Sequence, residues 1–117
     1  MDLRELVTAL VSRDALAARQ WTADALRAGL DWSTVAEPGG LDPLERAVAA
    51  GVVELLAARS GHPVPGWTAK VPPSPRRFFL VKAAESMPRL RRACEEEGPW
   101  GLRRRGILAP PEFLTAA

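Results

Sequence analysis

The chain has 117 residues, 47% apolar and 26% charged, a composition of small folded domains that excludes a disordered or membrane-spanning class. Sixteen basic side chains against fourteen acidic ones leave a net charge of +2, too balanced to point to nucleic acid by itself. One cysteine, Cys94, excludes an internal disulfide, and one histidine, His62, excludes a His/Cys zinc cluster and leaves a Ser-His-Asp set no choice of base.

The remaining counts favour helix. Ala, Leu and Arg dominate, Ile occurs once and Tyr is absent, so the expectation is one all-α domain over residues 1–117. It divides into N-terminal helices (1–61), a proline-rich strap (62–75), and C-terminal helices with an extended tail (76–117). No stretch nears the roughly 20 apolar residues of a membrane span. The acidic start Met1-Asp2-Leu3-Arg4-Glu5 does not read as a signal peptide, so a cytoplasmic location is expected.

In chain order, Asp2 with Glu5 has capping-box spacing, and Leu3, Leu6, Val7 and Leu10 follow on one helical stripe. A second helix is predicted from Ser12 or Asp14 to Gly29, burying Ala17, Ala18, Trp21, Ala25 and Ala28. Residues 31–40 form a loop containing Trp32. The third helix carries the strongest local signal. Asp42 at N-cap, Pro43 at N1 and Glu45 at N3 open it, Leu44, Val48, Val52, Leu55 and Leu56 form its apolar face, and Ser60-Gly61 stops it. Five prolines between His62 and Pro75 then predict an ordered strap around Trp67. Ser74-Pro75 repeats the cap-plus-proline signal, which predicts a fourth helix through Phe79, Leu80, Ala83, Ala84 and Met87, broken at Pro88. A fifth helix is predicted from Ser86 to Glu97, with Cys94 buried on the line Met87, Leu90, Cys94. A short helical turn over 100–106 and an extended Ile107-Leu108-Ala109 close the chain.

Charge is unevenly distributed along this order. Residues 1–60 hold six Arg and nine acids, a net of −3, whereas residues 61–117 hold eight Arg, two Lys and five acids, a net of +5. An acidic partner could read that imbalance, and so could solvent, because Arg is also the favoured surface residue in GC-rich coding. Arg103-Arg104-Arg105 is the densest cluster, yet three consecutive positions on a helical turn fan around most of it and cannot share one groove. Helix-turn-helix, zinc-finger and aromatic-sheet signatures of nucleic-acid binding are missing. Glu95-Glu96-Glu97 reads as a solvated face, and His62 as a cap on the last carbonyls of the third helix. No phosphate loop or nucleophile elbow occurs, so neither catalytic residues nor a cofactor or metal is expected.

The segments Pro63-Val64-Pro65-Gly66-Trp67, Pro75-Arg76-Arg77-Phe78-Phe79 and Leu102 to Pro110 resemble small helical proteins of actinobacteria and related GC-rich bacteria. Some of those are fused to a helix-turn-helix domain. Others look like the upstream partner of a nucleotidyltransferase-like toxin. The resemblance covers residues 44–114 and implies an interaction protein that neutralises a toxin encoded next door by occluding its active site. Trp67, Trp100, Arg103, Arg104 and Arg105 are the candidate partner contacts, indoles anchoring and guanidiniums giving specificity. Trp67 is nevertheless predicted to point inward, near Val52, Leu55 or Leu56. The alternative function is nucleic-acid binding through the Arg-rich C-terminal half.

Overall fold

The computed structural model describes residues 2–115. Among them are five α-helices: α1 (Leu3–Val11), α2 (Ala15–Arg27), α3 (Pro43–Ser60), α4 (Pro88–Glu97) and α5 (Trp100–Arg103). Two two-residue strands, β1 (Phe78–Phe79) and β2 (Ile107–Leu108), complete the regular structure with three short 3-10 turns. The fold is all-α, as the composition predicts.

α3 is the axis of the molecule. Its start is the complete capping box: the Glu45 amide donates to Asp42 Oδ1 at 2.8 Å and the Asp42 amide to Glu45 Oε1 at 3.0 Å. Its end is Gly61 at φ 71°, which lets the His62 amide reach back to the Ala57 carbonyl at 2.9 Å. Between these caps every residue from Ala47 to Val53 is buried, so α3 is enclosed on all sides rather than along one stripe. α1 and α5 pack on it, as do the turns at 32–34 and 66–70, while α2 covers α1. One core draws on residues from Leu3 to Ala109, with Trp21 and Trp32 stacked at a tilt, centroids 6.2 Å apart. A satellite of Ala84, Cys94 and Leu108 holds α4.

Local signals at the other ends are used less fully. Asp2 caps α1 by accepting from the Arg4 amide at 2.9 Å. Asp14, not Ser12, caps α2, and Ala17 and Ala28 lie exposed while Thr22 joins Ala18, Trp21 and Ala25 inside. The 62–75 segment contains a 3-10 turn at Gly66–Lys70.

The predicted fourth helix does not form. Ser74 closes a tight local turn instead, its hydroxyl donating to the Arg76 carbonyl at 2.7 Å and accepting from the Arg76 amide at 3.3 Å. Phe78 and Phe79 then run extended beside Ile107 and Leu108 in parallel register. The Phe78 amide donates to Gly106 O and the Leu80 amide to Leu108 O. A run of aromatic and branched residues suits that pairing better than a helix. Each ring is flanked by two guanidiniums, Phe78 by Arg13 and Arg76 and Phe79 by Arg77 and Arg91. Helix resumes at Pro88, which sits at the first position of α4, where a missing amide costs nothing. Met87, its N-cap, is exposed rather than in line with Cys94.

Candidate interaction surface

The arginine run is sorted by the way α5 crosses α3. Gly51 makes the crossing possible, because a Cβ there would lie 2.5 Å from Leu102 Cδ2. Gly101 does the same beside the acid one turn further along α3: a Cβ on it would lie 2.5 Å from Glu54 Oε1. The chain continuing from α5 therefore lays Arg105 across the buried side of Glu54.

Arg105 is only 1% exposed, and both its terminal nitrogens are engaged. Nη1 donates to Glu54 Oε1 (2.8 Å) and Gly101 O (2.7 Å), and Nη2 donates to Glu54 Oε2 (2.9 Å) and Thr68 O (2.7 Å). This end-on fork joins α3, α5 and the strap at one point. Arg105 is thereby corrected from a partner contact to an internal tie: a buried guanidinium so engaged has nothing to offer a partner. Arg104 reaches the same carboxylate from outside, Nη2 to Oε2 at 2.9 Å, and stays exposed. Burial alone would raise the Glu54 pKa, but hydrogen bonds from Arg105 and Arg104 outweigh it and hold the carboxyl below its ordinary value.

Arg103 turns the other way, over the Trp100 ring at 5.4 Å, and donates to the Glu96 carbonyl at the end of α4. The indole beneath it is 67% exposed. Trp100, Arg103 and Arg104 thus share one open corner. Trp67 does not join them. It is half-buried against the core that contains Val52 and Leu56, and its Nε1 donates to the Val35 carbonyl at 2.8 Å. It sits as a lid whose inner side packs on that core.

Along α4, Arg89, Arg91 and Arg92 are exposed, but Glu95 answers Arg77 and lies 3.9 Å from Arg91. The Glu95-Glu96-Glu97 run is therefore part of an ion-pair surface rather than only a solvated face. His62 caps the end of α3 as expected, through its backbone amide, which donates to the Ala57 carbonyl at 2.9 Å. The imidazole Nδ1 accepts from the Trp32 amide at 3.2 Å, 3.7 Å from Asp31. Hydrogen bonds from Ser33, helped by His62, lower the Asp31 pKa. Cys94 is buried, and burial with the charges of Glu112 and Glu95 raises its thiol pKa.

Sequence reasoning passed over Glu54, the centre of this arrangement. The signal was present, since Glu54 is the single charge in the apolar run from Ala47 to Ala58. A lone acid on the enclosed part of a helix demands a buried cation.

Among the described residues no group of three or more His, Cys, Asp or Glu is placed to hold a metal ion, and no helix is long and apolar enough to cross a membrane. No known family model, curated protein or solved structure matches the chain.

Proposed function

We propose that this chain is a non-catalytic interaction module that docks an acidic protein partner through the Trp100–Arg103–Arg104 corner. One observation carries the reading. A large indole stands two-thirds exposed on a four-residue helix that is otherwise tightly packed, with a guanidinium laid on its face. Exposed Trp beside Arg is the composition of interface anchors, and such an indole gains by burial against another surface. The tie between Glu54 and Arg105 holds the backbone of the corner rigid, so little order is lost on docking.

The resemblance of residues 44–114 to antitoxin-like helical proteins gives this partner a finer description. It would be a nucleotidyltransferase-type toxin whose acidic, metal- or nucleotide-binding cleft the corner covers. The protein reading is preferred to nucleic acid because the run leaves one arginine exposed, Arg104, which already faces Glu54, while Arg103 is half-buried between Trp100 and the end of α4.

Co-expression with the neighbouring gene product and co-purification tests the proposal. The expected result is a stoichiometric complex, lost on Trp100→Ala and weakened by Arg103→Ala, with the circular dichroism of both variants unchanged. A complex indifferent to Trp100→Ala, or no complex at all, overturns it. Salt-dependent binding of a generic duplex would favour nucleic acid instead.

A further inference from the structure

A groove of about 550 Å³ runs between the α1–α2 junction, the segment after β1 and the C-terminal tail, away from the residues of the Trp100 corner. Its volume falls within the roughly 300–1,000 Å³ of small-molecule sites. The floor is apolar, made by Ala9 and Leu10 of α1, Ala18 of α2 and Leu80. The far wall is Pro110, Phe113 and Leu114. Arg59 clamps that wall from α3, donating to the carbonyls of Pro111 and Phe113. Phe113 and Leu114 remain half-buried, leaving apolar surface turned toward open space.

Backbone turns bound this groove, and the charge of its rim separates it from a packing gap. Arg13 and Leu114 are the only non-glycine residues with positive φ among those described, at 60° and 58°, and both line it. At Arg13 this is the left-handed cap that ends α1, where the Asp14 amide donates back to the Ala9 carbonyl at 2.8 Å, and it turns the chain along the groove edge. The rim is also electrically uneven. Arg13 is held by Glu85 at 2.7 Å, but Arg19 and Lys82 are exposed and make no ion pair among the described residues. Of the two acids in the lining, Asp14 is engaged as the cap of α2, accepting from the Ala17 amide, and Glu112 lies on the tail.

We infer that the groove binds a straight-chain aliphatic carboxylate, its chain on the alanine and leucine floor and its head on Arg19 and Lys82. With Asp14 engaged by the Ala17 amide, the cations Arg19 and Lys82 are the rim groups that an anion would meet. Bulk polar ligands would leave the floor unpaired, and a purely apolar one would leave both cations unused.

The probe is decanoate, kept below its micelle concentration and titrated into the full ¹⁵N-labelled chain by NMR, with decyltrimethylammonium as the charge-reversed control. The expected result is saturable binding of decanoate at one site, with shifts confined to α1, α2 and the residues around Leu80 and Phe113. The control should bind more weakly. Arg19→Glu with Lys82→Glu should weaken decanoate about tenfold and reverse the preference. Ala15→Trp, at an exposed position of the lining, should abolish both. No saturable shift, equal binding of the two amphiphiles, or binding that survives Ala15→Trp overturns the inference. If Ala15→Trp destabilises the fold, the surface charge-reversal pair decides the matter.

Discussion

Removing the Glu54 carboxylate should unfold the molecule more readily than any other single charge deletion. Glu54→Ala strips Arg105 of two of its four hydrogen bonds while leaving the guanidinium buried. Breaking a buried ion pair from one side costs about 3–5 kcal/mol, chiefly through the charge left behind. The Glu54 side chain is 15% exposed, so water reaches part of the site and the lower end, about 3 kcal/mol, is expected. For a domain of this size that is about 10–15 °C in melting temperature. Arg104→Ala removes the outer partner of the same carboxylate, an exposed contact expected to cost less than about 1 kcal/mol. Replacing both members of the inner pair, Glu54→Leu with Arg105→Met, should recover most of the loss, because no unpaired charge remains. Urea unfolding followed by circular dichroism measures all three. A Glu54→Ala midpoint equal to that of Arg104→Ala would refute the reasoning, since it would mean the buried fork carries no more than the surface contact.

The remaining predictions test its neighbours. Glu54 has a folded pKa below its unfolded value, so the unfolded chain takes the proton first; its contribution should be complete above about pH 4.5, the ordinary value, and fall away as pH drops through the depressed one, and Glu54→Gln should flatten that acid limb of the unfolding midpoint. Gly51→Ala gains helix propensity of about 1 kcal/mol but drives a methyl into Leu102, a clash of about 1–3 kcal/mol. A net loss in calorimetry is expected, and a stabilised variant would show that α5 can lift away freely. Trp67→Ala should cost about 2–3 kcal/mol, at or just below the range of a fully buried aromatic because part of the side chain stays exposed. An unchanged melting temperature would return Trp67 to the list of partner contacts. Cys94 should resist a thiol reagent in the folded chain and react at the rate of a free thiol in urea, and fast labelling without denaturant would contradict its burial and raised pKa.

What was legible in the sequence was mainly what is local. The start of α3 is written in Asp42, Pro43 and Glu45, three neighbours whose side chains meet the first amides, so no distant information is needed to place it. The stripe Leu3, Leu6, Val7, Leu10 is likewise its own evidence for α1. β1 is the opposite case. Ser74-Pro75 has the chemistry of a helix start, and the Phe78-Phe79-Leu80-Val81 run that follows suits a strand only if a partner strand exists. The decision is made by Ile107 and Leu108, at the far end of the C-terminal half, once α5 and Gly106 at φ 79° have turned them alongside. A signal that is ambiguous locally is settled by whichever partner the rest of the fold delivers. The same holds for Met87 and Pro88, which look like a helix break until β1 removes the preceding helix and leaves Pro88 free to open α4.

The arginine run shows how far a composition argument reaches before geometry must take over. Consecutive positions on a helical turn separate by about 100°. From this alone three arginines cannot act together, and that much was legible. Which one turns inward depends on where the turn sits on its support. Gly51 and Gly101 bring α5 so close to α3 that the inward direction can hold only a residue able to satisfy Glu54, and Arg105 is the residue that arrives there. The same rotation sends Arg104 outward to the rim of Glu54 and lays Arg103, half-buried, between the face of Trp100 and the end of α4. The acid in α3 and the glycines that let it be reached therefore determine the exposed corner as much as the arginines displayed on it. A charge count of the C-terminal half cannot reveal this, because the determining residue, Glu54, lies in the acidic N-terminal half.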